Sequence, residues 1–277
     1  MSLIMNPSMR PMGKVYLIGA GPGAADLITI RGAKLLAQAD VVLHDALVEP
    51  ELLAFCPQAK RIAVGKRCGK LSTSQRFINK RLVDAAHQHT TVVRLKGGDP
   101  MLFGRADEEL AALEDAGIAY EIVPGITAAQ AGAARLGHSL TLRGVARSIA
   151  FVTHAKAKDD EAQEAPLAQP SADTLVYYMA RAHAVEIAQN LINSGRKGST
   201  PVHLLESIST SRERTWSMTL NELANQTNFT ESNRNDWQTS DQPLLVLIGD
   251  ALAKRAGREI NNGAQDRLIL TDRRRSA

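Results

Sequence analysis

The chain has 277 residues, with 33 Lys and Arg against 29 Asp and Glu, a formal net charge of +4. A hydrophobic fraction of 44% and a charged fraction of 22% suit a folded globular chain, while 4% aromatics is too little for a stacking platform on single-stranded nucleic acid. That composition excludes a collagen-like or wholly disordered chain, and two cysteines, Cys56 and Cys68, are too few for a disulfide framework or a four-cysteine zinc site, so both thiols are expected to be reduced.

Residues 1–12 read as a disordered leader without the apolar run of a signal peptide. No stretch approaches the roughly 18 apolar residues of a membrane span. A short apolar strand over 15–18 stops at Gly19-Ala-Gly-Pro-Gly23, and a helix follows over 29–38. Further short strands are expected at 40–45, 62–65, 91–95 and 120–123. Ser72-Thr-Ser-Gln75 is a capping-box pattern, opening a helix with Phe77, Ile78, Leu82, Val83 and Ala86 on one face. Residues 107–116 form a second helix, acidic at its start and closed by Gly117. Pro124-Gly-Ile-Thr-Ala128 turns into an Ala-rich helix ending near Gly137.

A second series follows: strands at 148–153, 174–179, 201–205 and 244–248, a helix over 183–193, and polar loops over 155–173 and 225–242. Short apolar strands alternating with helices predict an α/β protein of two lobes with mostly parallel sheets. The expected boundaries are a lobe over 13–124, a connecting helix and linker over 125–140, a second lobe over 141–255 and a basic tail over 256–277, with a ligand cleft between the lobes.

Three glycine turns punctuate this pattern. Gly19, Gly21 and Ala24 satisfy a dinucleotide-type G-x-G-x-x-A, and Asp45 stands about twenty residues on. Pro22 argues against a pyrophosphate cradle, because it removes a backbone N–H from the turn. Arg94-Leu-Lys-Gly-Gly-Asp-Pro100 and Pro124-Gly-Ile-Thr-Ala128 are the other two turns, and all three follow strands. Ligands in open α/β sheets bind beyond the carboxyl ends of strands, where these turns can meet. Asp99 suits hydrogen bonding to a ribose or amino group, and equally suits capping the segment after it. His87 and His89 lack a metal-binding pattern, so no metal is expected.

The ordered set of Gly19-Ala-Gly-Pro-Gly23, Val41-Val-Leu-His-Asp45-Ala-Leu-Val48, Val64-Gly-Lys-Arg67, Arg94-Leu-Lys-Gly-Gly-Asp-Pro100, Phe103-Gly-Arg105, Val123-Pro-Gly-Ile-Thr-Ala128 and Tyr178-Met179 resembles the tetrapyrrole (precorrin) methylase family, in its uroporphyrinogen-III C-methyltransferase branch. The resemblance runs from about Gly13 to Gly249. It implies S-adenosylmethionine as methyl donor, with S-adenosylhomocysteine as product, bound in the cleft by Pro22, Gly97, Gly98, Asp99, Leu102, Thr127, Ala128 and Met179. It implies methylation of uroporphyrinogen III at C2 and C7 to precorrin-2, for siroheme or cobalamin synthesis, by a cytoplasmic homodimer that binds neither nucleic acid nor membrane. Asp45 takes the place of the family's proton acceptor and Lys66 that of its proton donor. Arg67, Arg94, Lys96, Arg105 and Arg143, beside the motif turns, are candidates for the carboxylates of the tetrapyrrole substrate.

The chain departs from the family pattern at Ala106, Leu142, His154, Ala180 and Ile208, and a β-branched side chain at Ile208 is expected to crowd the donor or alter its turn; Leu142, His154 and Ile208 leave open, as the alternative, another precorrin methylase or a divergent paralogue that binds the donor with little turnover. The charge is uneven. Residues 60–105 hold eleven Lys or Arg against Asp84 and Asp99, so a basic mouth for a polycarboxylate is expected on the first lobe.

Overall fold

A computed structural model of the protein describes residues 12–65, 75–153, 170–226 and 236–253. In the first lobe, strands β1 (Lys14–Gly19), β2 (Val41–His44), β3 (Lys60–Ala63), β4 (Thr91–Lys96) and β5 (Tyr120–Val123) form one sheet in the order β3-β2-β4-β1-β5. Every pair in it is parallel. Alternation decides which face each residue takes. Val15, Leu17, Val41, Leu43 and Val92 meet α2 (Gln75–Gln88) and α3 (Ala106–Asp115), while Ile18, Val42, Val93 and Leu95 meet α1 (Ile30–Leu36) and the 3₁₀ turns of 50–55. With both faces covered, the strands read as unbroken apolar runs. Their parallel direction puts the three glycine turns and Asp45 along one carboxyl edge.

Helix α4 (Ala128–Leu136) leaves that edge with a complete capping box between Thr127 and Gln130, and it stops at Gly137 in the left-handed region (φ 67°). The second lobe holds β6 (Ile149–Thr153), β7 (Thr174–Tyr178), β8 (Pro201–Glu206), β9 (Arg214–Thr219) and β10 (Leu244–Ile248), with α5 (Ala184–Asn193), α6 (Leu220–Ala224) and α7 (Asp236–Thr239). Its sheet order is β6-β7-β10-β8-β9.

Three features of this lobe differ from the sequence expectation. Only β6 and β7 pair in parallel; β7–β10, β10–β8 and β8–β9 are antiparallel, so this sheet is mixed where a mostly parallel one was expected. An apolar run such as Leu244–Ile248 reports burial on both faces, here by α5–α7 on one side and α4 on the other, and carries no direction. The second feature is the edge strand β9. Its signal was the alternation of Trp216 and Met218, both packed on the core, with polar neighbours. The polar stretch 225–242 is also not all loop: Trp237 is buried and fixes the single turn α7 in the core. The expected leader and basic tail lie outside the described residues, apart from Met12, as does the start of the capping-box helix.

Candidate active site

The glycine turns meet at the carboxyl edge of the first sheet. Gly21 and Gly98 exchange two backbone hydrogen bonds, of 3.2 and 2.7 Å. A Cβ on Gly19 would lie 2.5 Å from the Gly125 Cα, and one on Gly125 would lie 2.2 Å from the Gly98 carbonyl oxygen. Glycine is required there because backbone touches backbone. Gly98 is different. Its φ of +67° favours glycine, yet a Cβ would meet nothing within 4 Å. That face of the turn is open, as a backbone surface offered to a ligand must be. Gly97 turns toward the Leu47 side chain.

Asp99 ties the junction together. Its Oδ1 accepts the Met101 N–H and its Oδ2 accepts the Gly125 N–H, each at 2.8 Å. Of the two roles open to Asp99 in the sequence, the capping one is therefore in place. Each oxygen keeps a further lone pair.

The second lobe reaches the same edge through two strained turns. Met179 follows β7 at φ 53° with its side chain half exposed, and Ser207 and Ser209 follow β8 at φ 47° and 61°. Phe103 and Arg105 in the first lobe share this conformation, both at φ 53°. Non-glycine residues at positive φ cluster where surrounding contacts over-determine a site. The Ser209 hydroxyl accepts the Ala24 N–H at 3.1 Å, pinning the turn that contains Pro22. The Phe103 ring lies 5.2 Å from that of Tyr178, whose hydroxyl accepts the Ala129 N–H beside Thr127 and Ala128. Burial pushes the Tyr178 phenol up. Pro22, Gly97, Gly98, Asp99, Thr127 and Ala128 lie in or directly beside the three joined turns; Leu102 gives its N–H to the Asp99 carbonyl, and Met179 follows Tyr178 in the second lobe. An open depression of about 440 Å³ behind α4, lined by His138, Ser139 and Leu140 among others, contains none of them.

Asp45 stands at the end of β2 with 28% of its side chain exposed. Its Oδ1 accepts from Arg94 Nη2 at 2.5 Å. Arg94 and Lys96 do not present free charge to the cleft. Their side chains are 2% and 3% exposed, and both donate to Oε1 of Glu109, itself buried. Arg94 also donates to the carbonyls of Leu43 and Leu95. The basic mouth read from the charge count loses these two cations, because inward-facing positions of a central strand force their ions to pair within the protein. Arg105 is exposed and bound to Glu108, and Arg143 is exposed in the tight turn 142–146. Lys66, Arg67 and His154 lie outside the described residues.

Ile208 does not crowd the cleft. It is 5% exposed and packs inward with Ala129, Leu205 and Leu247. Ala106 and Ala180 take ordinary backbone angles at the start of α3 and after Met179, so neither position needs glycine. Sequence reasoning missed Glu109, which it took as one more acid in the first turn of α3. The available signal was register, since Glu109 shares the buried stripe of Ala106 and Leu113.

The sequence model for tetrapyrrole (corrin/porphyrin) methylases matches residues 14–224. The chain belongs to the tetrapyrrole methylase family. Among its relatives within that family, the siroheme synthase of Pseudomonas fluorescens (strain SBW25) is 42% identical over 258 residues, 92% of this chain and 54% of that protein. That of Chromobacterium violaceum is 47% identical over 205 residues, 73% of this chain and 43% of that protein. The chain spans about half the length of the curated relatives it matches. Among solved methylases, uroporphyrin-III C-methyl transferase from Thermus thermophilus complexed with S-adenyl homocysteine aligns with a TM-score of 0.71 and 36% identity, over 87% of this chain and 99% of that one. A cobalt precorrin-4 methyltransferase aligns with a TM-score of 0.72 and 28% identity, over 91% of this chain and all of that one.

Proposed function

We propose that this methylase transfers methyl groups from S-adenosylmethionine to C2 and C7 of uroporphyrinogen III, giving precorrin-2 for siroheme or cobalamin synthesis. The observation that carries the reading is the junction of Gly21, Gly98 and Gly125 under Asp99, open on the Gly98 face, with Thr127 and Ala128 directly following in the chain at the start of α4. The residues suit the donor: its adenosine needs a backbone surface without Cβ atoms, and its amino and ribose groups need acceptors such as the remaining lone pairs of Asp99. The similarity to a structure complexed with S-adenyl homocysteine supports the same choice.

When bound, the donor supplies an activated methyl group, so the protein's work is placement. Leu47, Met101 and Phe103, all exposed along this edge, offer the apolar surface a macrocycle requires. Asp45 places a carboxylate where it can take the proton released from the methylated ring, or face the positive charge that develops there. Lys66 matches by position the family's proposed proton donor; since each methyl transfer releases one proton net, any proton it gives to the tetrapyrrole must leave again before product. Arg67, Arg105 and Arg143 are the proposed partners of substrate carboxylates; Arg94 and Lys96 serve Asp45 instead. We place the enzyme in the cytoplasm as a homodimer of two-lobed chains, with lobes over 13–124 and 141–255 joined by 125–140. Among the described residues no helix is long and apolar enough to cross a membrane.

The test is anaerobic incubation of the chain with S-adenosylmethionine and uroporphyrinogen III, with products read by mass spectrometry. Mono- and dimethylated tetrapyrrole are expected in sequence. S-adenosylhomocysteine binding without any methylated product overturns the reading.

A further inference from the structure

We infer that Glu109 and Lys96 are positioning residues, a buried charge-balanced brace that locks the Arg94 guanidinium onto Asp45 and so aims the Asp45 carboxylate into the cleft. The inference rests on the reaction proposed above. Four side chains alternate in sign from the cleft inward: Asp45, Arg94, Glu109 and Lys96, linked at 2.5, 3.1 and 2.9 Å. Only Asp45 reaches solvent to any extent. The three inner groups come from one strand and one helix, β4 and α3, and Gln75 of α2 donates to the same Glu109 oxygen at 3.3 Å.

The Arg94 donors leave the guanidinium one orientation. Nη1 is committed to the carbonyls of Leu43 and Leu95, Nε to Glu109, and Nη2 to Asp45. Asp45 itself lies on the segment after β2, where the backbone alone would hold a side chain loosely. A planar fork fixed on three sides removes that freedom.

The arrangement is a poor way to gain stability. Buried ion pairs are often no better than apolar residues of the same volume. Glu109 Oε2 is buried with no hydrogen-bond partner among the described residues, and all of the donors converge on Oε1. Burial, with the Arg94 charge beside it, pushes the Lys96 ammonium down. A network that leaves one oxygen orphaned and disfavours the charge of its innermost cation is what results when the position of Asp45 matters more than the energy of the core.

The test compares Glu109→Gln in two backgrounds of the full chain, wild type and Asp45→Asn. In the wild-type background kcat for methyl transfer is expected to fall at least about tenfold, with S-adenosylhomocysteine affinity by calorimetry held within about twofold. In the Asp45→Asn background the same substitution is expected to slow the residual rate no further, because its effect passes through Asp45. Equal slowing in both backgrounds, or an equal loss of affinity, overturns the inference in favour of a general structural role. Should Glu109→Gln not fold, Lys96→Met and Arg94→Lys are carried through the same comparison. Carbodiimide labelling of Asp45, read by mass spectrometry, needs no turnover: a several-fold rise in Glu109→Gln is expected, and unchanged labelling overturns the brace. Absence of methyl transfer by the wild-type chain would count against the proposed reaction, and the labelling would still decide the brace.

Discussion

Glycines 98 and 125 stand in adjoining turns for different reasons, and substitution separates them. At Gly125 an added Cβ would meet the Gly98 carbonyl oxygen at 2.2 Å, and backbone cannot retreat as a side chain can. Gly125→Ala is expected to lower stability by about 2–3 kcal/mol, in the range of overpacking, seen as a shifted urea midpoint. At Gly98 the space is open and the difficulty is conformational, φ +67° in a residue that would have to be β-branched in Gly98→Val. That variant is expected to remain folded by circular dichroism and to lose S-adenosylhomocysteine affinity by at least about 100-fold. Undiminished binding would remove the turn from the donor site.

At the scale of elements, Glu206 at the end of β8 holds the second sheet's edge. Its carboxylate is buried and receives Arg181 at 2.9 Å from beyond β7 and Arg214 at 2.5 Å from β9. Burial by itself would push the Glu206 carboxyl up; hydrogen bonds from Ser240, Arg214 and Arg181 outweigh it and hold the group below its ordinary value of 4.5. The native state then binds fewer protons than the unfolded chain as the medium turns acid. The stabilisation is complete above about pH 4.5 and is lost as pH falls through the lowered native value. Glu206→Gln is expected to flatten this acid limb of the stability curve in urea titrations. It is also expected to cost about 2 kcal/mol at neutral pH, less than the roughly 3–5 of a fully buried pair because Arg214 is partly in water. An unchanged acid limb would assign the fall in stability to other carboxylates.

At the scale of the whole molecule, the two lobes are fastened at the Pro22 turn, which is part of the proposed donor site. Gly23 faces the Ser-Ile-Ser-Thr turn after β8 so closely that a Cβ would lie 2.5 Å from Thr210 Cγ2 and 3.0 Å from the Ile208 carbonyl oxygen. Arg212 bonds Glu49 across the lobes at 2.5 Å, and Glu213 binds both Arg135 and the Ser209 N–H. Gly23→Val is therefore expected to displace this turn rather than unfold either lobe. S-adenosylhomocysteine affinity should fall at least tenfold, with the melting transition moved by only a few degrees. A large loss of melting temperature with intact affinity would show that the contact holds the fold and not the site.

The residues by themselves determined the α/β class, the strands of the first lobe and the motifs that identify the family, since periodicity and backbone-driven glycine turns are written locally. Thr127 with Gln130 and the stop at Gly137 are legible for the same reason. Strand direction in the second sheet was decided only in three dimensions, because a run such as Leu244–Ile248 is equally apolar in either direction once both faces are covered. So was the fate of Arg94 and Lys96. As sequence they are two cations in a basic block; in the fold they point inward from a central strand, where desolvation forces them onto Glu109 and Asp45. Local chemistry settles what a residue can do, and the sheet settles which of those possibilities solvent and neighbours leave open to it.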